Sequence, residues 1–471
     1  MKKMTKSQKS VLAVATLTSF LGPFLISSVN VALPVIEKEF QINAIELSWI
    51  IMGFLLSSAI FLLPTGRWAD IKGAKAVFKQ GTILFVLFTL SSAMAPSSSI
   101  LIAVRFLQGI GSAMVMTTGP AILINEFPLK QRGRVLGITV AAVYLGLSVG
   151  PFAGGFITHY WGWRSIFWIS GAIGILVMVV AFSFLGKDQT KMPDTPMDHL
   201  GAFLYSLALA GLVIGSSQLT TTPGIWLFIG GTLCLILFLI HQSRSPVAIF
   251  PLQLFISNRL FAFSNAAALI NYSATFAIVF LLSLFLQKIQ GYSPSETGSI
   301  LIAQPIVMAA LSPLAGRLSD RFEPRWLATL GMTICAIGLV NFAFLNKDTS
   351  LPQVIGILAF IGLGFALFSS PNMNTIISAV DKSKSGIASG MAATMRVLGQ
   401  MVSMSTATLL FAVFFGNQSI AGVDNNTFTK GIRFAFLIFA IICMAGIYFS
   451  MNRGKMHHTS STLHEYNQQN Q

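Results

Sequence analysis

The sequence predicts an all-α integral membrane protein with fourteen spans, arranged as two six-helix bundles with two further helices between them. Three observations carry this: a composition suited to lipid, apolar runs near membrane-crossing length that recur through the chain, and an internal repeat offset by about 250 residues.

Hydrophobic residues make up 54% of the chain and charged residues 10%, whereas soluble domains carry about 25% charged residues. A net charge of +15 would suit nucleic-acid binding only if the basic residues gathered on one folded surface. Here they lie in short segments between apolar runs, and no nucleic-acid partner is expected. Cys234, Cys335 and Cys443 stand singly inside apolar segments, so they form neither a metal spacing nor a disulfide framework. No cofactor is expected.

Runs long enough to cross a hydrocarbon core of about 30 Å lie near 11–33, 47–65, 77–95, 100–122, 135–157, 166–185, 200–219, 224–242, 261–286, 297–316, 326–345, 352–379, 387–415 and 431–451. The basic stretch from Met1 to Ser10 could imitate a secretory signal, but the run after it is long and lacks a small-x-small cleavage site, so it reads as a retained first span. With the N-terminus inside, the inner segments hold 22 Lys and Arg, and the outer loops hold six: Lys38, Arg164, Lys288, Lys347, Lys430 and Arg433. That bias places both termini in the cytoplasm of a multi-pass cell-membrane protein. The expected units are an N-terminal bundle at 1–185, two inserted helices at 186–243, a C-terminal bundle at 244–452 and a disordered cytoplasmic tail at 453–471. A monomer in contact with membrane lipids is expected.

The repeat is visible in glycines. Gly109, Gly111, Gly133, Gly137 and Gly146 each have a counterpart 253 positions later, at Gly362, Gly364, Gly386, Gly390 and Gly399. Gly66-Arg-Trp-Ala-Asp70, after the second span, matches Gly316-Arg-Leu-Ser-Asp320, after the tenth, at a shift of 250. Two parallel halves are implied, a duplication common among transport proteins.

In the first of these loops Gly66 permits close helix contact, and Asp70 can sit near a helix N-terminus. Arg67, Gly73 and Lys75 complete the basic hairpin, whose lysines can pair with acids or lipid phosphates. Its echo at Gly316, Asp320 and Arg321 makes an ordinary cytoplasmic hairpin a poorer description. In the fifth span Gly146, Gly150, Pro151, Gly154 and Gly155 place small residues at helical spacing, with Pro151 removing one hydrogen bond, which makes a bendable packing seam. The fourth span places Arg105 about 10 Å inside its outer boundary at 1.5 Å per residue.

Together these constellations resemble the major facilitator superfamily, and the glycine-proline seam looks like the element that marks its antiporter branch. The fourteen-span layout, Asn30-Val-Ala-Leu-Pro34 and Trp161-Gly-Trp-Arg-Ser-Ile-Phe167 are similar to the EmrB/QacA group of drug:proton antiporters. The resemblance implies a major facilitator fold and a multidrug-type exporter of small amphipathic molecules driven by proton entry. One departure is Leu25, where many members of that group carry an aspartate five residues before the asparagine. No Asp or Glu falls inside a span as drawn; Glu126, at the inner end of span four, comes closest and is the candidate proton carrier.

A charge near mid-bilayer costs about 3 kcal/mol on insertion scales, so Arg105 and Arg396 should face the bundle interior and, with Glu126, form the candidate charge relay. Two buried positive charges favour an anionic or zwitterionic substrate over a dication. Phe24, Asn30, Gln108, Met114, Tyr144, Asn271, Tyr272, Gln304 and Asn372 are candidate substrate contacts: polar groups to orient a ligand, aromatic and methionine side chains to make a pliable pocket. Each has an ordinary alternative as helix packing or a helix bridge. No phosphate-cradling Gly-rich loop ending in Lys-Ser/Thr is present. The histidines offer no ligand spacing, so an enzyme is not expected. An exporter of an anionic lipid, fatty acid or acidic metabolite is the second reading within transport. A non-transporting sensor or scaffold is the reading from another class.

Overall fold

The computed structural model describes residues 4–186, 196–381, 385–416 and 418–454; residues 455–471 of the expected tail, and the side chain of Asp320, lie outside the described set. The first half contains α1 (Lys6–Phe40), α2 (Ala44–Lys72), α3 (Ala74–Ala93), α4 (Ser98–Glu126), α5 (Leu129–Trp161) and α6 (Arg164–Phe184). A hairpin of α7 (His199–Ser217) and α8 (Thr222–Arg244) and the short α9 (Leu252–Ser257) follow. The second half contains α10 (Arg259–Thr275), α11 (Ala277–Lys288), α12 (Pro294–Leu301), α13 (Ala303–Arg321), α14 (Pro324–Phe342), α15 (Leu351–Ser378), α16 (Ser385–Phe415) and α17 (Asn425–Asn452). The pairs α10–α11 and α12–α13 each cross as one span, so among the described residues fourteen stretches are long and apolar enough to traverse a membrane.

Several helices outrun their apolar windows. α2 continues through Gly66 and Asp70 to Lys72, and α13 continues through Gly316 to Arg321, so both charged motifs lie on helix ends rather than in loops. Hydropathy falls where the chain leaves hydrocarbon, whereas backbone hydrogen bonds continue until a residue breaks them. Gly73, at φ 100°, makes that break after α2. α1 likewise runs to Phe40, which brings Glu37 onto the helix as a buried acid missed by the hydropathy windows.

The repeat appears as equivalent contacts. A methyl group on Gly111 would lie 2.8 Å from the Gly81 carbonyl oxygen of α3, and one on Gly364 would lie 2.7 Å from the Gly331 carbonyl oxygen of α14. Gly109 meets α2 at Ser57, as Gly362 meets α13 at Gln304. Gly146 faces the Phe20 carbonyl of α1, and Gly399 faces the Leu269 carbonyl of α10. A methyl group on Gly66 would lie 3.2 Å from Thr117, and one on Gly316 would lie 3.2 Å from Ser370. In each half the same small residues let the same helices approach backbone to backbone.

The hairpin packs through α7 against α2 of one half and α16 of the other. Tyr205 donates its hydroxyl to the Ala59 carbonyl at 3.2 Å, while α8 turns Leu233, Ile236 and Ile240 outward. The hairpin base is closed by Asp198, which accepts from Gly201 N at 2.8 Å and from Gln242 Nε2 at 2.7 Å and meets His241 Nε2 at 2.7 Å. Burial opposes ionisation there, but these partners outweigh it and hold the Asp198 carboxyl below its ordinary range.

At the face opposite the termini the two halves touch. Thr408 donates to Ser48 Oγ at 2.8 Å, and Glu37 accepts from Ala421 N at 3.0 Å. Gly155 of α5 and Gly298 of α12 sit reciprocally, a methyl on either striking the carbonyl of Pro294 or Pro151 respectively. Toward the face that carries the termini, the halves part around a cavity.

Candidate functional site

The cavity has a volume of about 590 Å³ and reaches from the middle of the bundle to the inner ends of α2, α4 and α16, at Asp70, Asn125 and Gly386. Its wall is largely apolar, with Met116 and Phe368 among its larger side chains. Among the described residues its charged lining groups are Asp70, at the mouth, and Arg396, on α16. Arg396 makes no hydrogen bond or ion pair to a described residue, and the ion pairs among the described residues involve other bases: Lys75, Arg164, His241 and Arg325.

The outer end of the cavity is closed by tyrosines from both halves. Tyr144 shares a hydrogen bond with Ser369 and lies 3.3 Å, hydroxyl to hydroxyl, from Tyr272. Beyond them is a second chamber of about 80 Å³, lined by Asn30, Gln304 and Gln400 together with the apolar Phe276, Val279 and Phe365. Tyr144 and Tyr272 line both spaces, so the tyrosine pair is the partition.

Other candidate residues take up places away from these spaces. Arg105 is fully buried between α2, α3, α4 and α6. Its guanidinium donates to Ile50 O at 3.3 Å and Gln108 Oε1 at 2.6 Å and lies over the rings of Phe54 and Phe167. Gln108 passes the chain on to Thr89 Oγ1 at 2.5 Å. Glu126 pairs with Lys75 at 3.4 Å, so the hairpin lysine has found an acid. Arg67 donates to the Pro196 carbonyl at 3.3 Å, tying the end of α2 to the segment before α7. Phe24 stacks on Phe20 with centroids 5.4 Å apart. Met114 packs against Ala69 and Val77, and Asn271 is buried within α10. Asn372 does line the cavity, yet its carboxamide is occupied: Oδ1 accepts from Arg453 at 2.8 Å and Nδ2 donates to Ser264 O at 3.1 Å. The guanidinium of Arg453 is buried beneath it, and that burial pushes its pKa down to about 10.

The glycine-proline seam divides its work. Proline has no N–H, so Pro151 leaves the Leu147 carbonyl without its intrahelical donor. Ser27 of α1 supplies the missing bond at 3.0 Å, and Ser28 bonds the Gly150 carbonyl at 2.9 Å. Gly146, Gly150 and Gly154 thus bind α5 to α1 inside one half, while Gly155 faces the other half. Ser369 and Asp70 are cavity residues that sequence reasoning did not place. The signal for the first was Pro371 two residues on, a proline that lies 251 positions after Pro120 and within two residues of its place in the repeat.

Known proteins share both the sequence pattern and the fold. A riboflavin transporter, RibZ, of Clostridioides difficile is 28% identical over 94% of this chain and 96% of its own length. The multidrug resistance protein Stp of Mycobacterium tuberculosis is 29% identical over 82% of this chain and 72% of its own. The methylenomycin A resistance protein of Bacillus subtilis is 28% identical over 91% of each. Among solved structures, a bacterial homologue of the human lysosomal transporter Spinster superposes with a TM-score of 0.69 at 17% identity, covering 96% of this chain and 98% of that one. The chain matches the Major Facilitator Superfamily over residues 15–268 and again over 264–465, so this membrane protein, with its duplicated bundle and two inserted helices, belongs to the Major Facilitator Superfamily and transports solutes rather than catalysing a reaction.

Proposed function

We propose that the protein is a secondary active exporter that loads an amphipathic, anionic or zwitterionic small molecule from the cytoplasm and releases it outside by rocking of the two halves. The observation that carries this reading is Arg396: a cation in the wall of a largely apolar 590 Å³ cavity with no described acid paired to it. A ligand carboxylate or phosphate would supply the missing partner, and the apolar wall would take its hydrophobic part. The relatives support export of small organic molecules, since two are named for resistance; the riboflavin transporter widens the substrate range to a polar heteroaromatic. The basic-residue bias supports placing the termini, and therefore the cavity mouth, on the cytoplasmic side.

Uptake into everted vesicles, whose cytoplasmic face is outermost, tests the reading, with a fluorescent anionic amphiphile compared with a cationic dye while lumenal pH is followed. Arg396→Gln is expected to reduce transport of the anion by about tenfold, equivalent to ~1.4 kcal/mol, and to leave a neutral substrate within a factor of two to three. Equal loss for anion, cation and neutral compound would remove the anchoring role.

Proton antiport is part of the proposal, with Asp70 as the carboxylate placed to exchange protons at the cavity mouth and Glu126 held by Lys75. Asp70→Asn is expected to abolish pH-driven net efflux at normal expression while substrate counterflow persists, because exchange needs no net change in protonation. Loss of counterflow together with efflux would make Asp70 a gating group instead.

A further inference from the structure

The chamber behind the tyrosine pair has a polarity that helix packing does not account for. Asn30 is 1% exposed and its Oδ1 has no hydrogen-bond partner. Gln400 is 5% exposed, and neither it nor Gln304 bonds a described residue. These groups come from α1, α13 and α16, so both halves contribute. A buried carboxamide left without partners costs about 1–3 kcal/mol, and nearly all buried polar groups in native proteins are paired. Asn372, in the wall of the larger cavity, has its carboxamide bonded at both ends by other parts of the chain, whereas the three amides of the small chamber are not so occupied. Several unpaired amides aimed into one small space are the complement of a ligand that carries donor and acceptor together.

Size and spacing narrow the ligand. The chamber's 80 Å³ is about half the ~150 Å³ cavity known to accept benzene, so it admits a small planar group and excludes an aromatic ring. Among the described residues no charged one lines it, so an ionised group would be desolvated there without compensation. A carboxamide offers two donors and an acceptor with two lone pairs, which matches what Asn30, Gln304 and Gln400 present. Gln400 follows Arg396 by four residues on α16, one helical turn or about 6 Å further out. The ligand's anionic group and its amide should therefore be separated by about that distance.

We propose that this chamber is a carboxamide subsite: the substrate of this transporter is an amphiphile whose uncharged amide-type group passes the Tyr144–Tyr272 partition to pair with Asn30, Gln304 and Gln400 while its anionic group meets Arg396. The inference rests on reading the larger cavity as the substrate chamber and adds the identity of the polar head.

The test is calorimetric binding to the purified full-length protein in detergent. N-lauroyl-glutamine carries a carboxylate, a side-chain carboxamide and an alkyl tail; N-lauroyl-homoleucine replaces the carboxamide with a branched hydrocarbon of the same shape. The glutamine amphiphile is expected to bind about tenfold more tightly, a ~1.4 kcal/mol difference. Asn30→Leu and Gln400→Leu are each expected to bring that ratio to below about threefold without weakening the homoleucine probe. Equal affinity of the two probes for the unmodified protein would overturn the inference, as would a ratio that survives both leucine variants, which would mean the chamber holds water only. Arg396→Gln separates the two claims. Weakening of both probes supports the anion reading, whereas an unchanged affinity with an intact ratio removes that reading and leaves the subsite standing. Failure of both probes to bind removes both.

Discussion

Gly155→Leu is expected to abolish net transport in a protein that inserts and expresses normally, because it blocks the backbone contact by which the outer end of α5 closes on α12 of the opposite half. In the present arrangement the Gly155 and Gly298 backbones meet reciprocally, each occupying the place where a side chain on the other helix would need room. A Cβ at Gly155 would collide with the Pro294 carbonyl, a backbone atom that cannot swing aside. The halves would then be held apart at the outer face. With native cysteines replaced, a cysteine at Ser148, in the second chamber on the outer side of the tyrosine pair, should become reactive toward an impermeant maleimide added outside, and Gly298→Leu should behave alike. Gly150→Leu provides the contrast. Gly150 abuts Ser27 within its own half, at 2.6 Å from the Cβ position, so that substitution should lower expression instead of trapping a state. Normal transport and unreactive Ser148→Cys in Gly155→Leu would show that the outer seal forms by other contacts.

Arg105→Ala is expected to lower thermal stability and to depress transport of anionic, neutral and cationic substrates by the same factor. The guanidinium lies outside both chambers, and its hydrogen bonds fix the Gln108–Thr89 chain between α3 and α4. Hydrogen bonds to a charged group are worth about 1.5–3 kcal/mol each, and removing the arginine also leaves Gln108 buried without its acceptor satisfied. A loss of about 3 kcal/mol is expected. Arg105→Met with Gln108→Leu should regain most of it, since replacing a whole polar network by apolar groups of similar volume is often neutral. Selective loss of anionic substrates in Arg105→Ala would return this residue to the transport path.

The two arginines show how far a sequence can be read here. Both Arg105 and Arg396 announce themselves as costly charges in apolar runs, and the inference that they face the bundle interior holds for both. Which of them meets solvent depends on whether an i+3 neighbour can bond it. Gln108 does so for Arg105, while Arg396 has no such partner. The same ambiguity applies to the amides. Asn30 and Asn372 are equivalent in one-letter code, and the arrival of the Ser264 carbonyl and of Arg453 from eighty-one residues away distinguishes the paired amide from the unpaired one. The number of spans and the duplication were legible because they rest on composition and offset. Helix ends were not, because hydropathy measures depth in the bilayer. That is why Asp70 was read as a loop residue and Glu37 was missed.

The hydrogen bond from Ser27 to the Leu147 carbonyl bears on how the chain is made. In hydrocarbon an unsatisfied backbone group costs several kcal/mol, and Pro151 guarantees that α5 enters the membrane with one such group exposed. The remedy lies on α1, which emerges from the ribosome 120 residues earlier. Synthesis must therefore keep α1 available beside the insertion machinery until α5 arrives. Removing Ser27 would then be felt first as slow maturation and proteolysis of newly made chains.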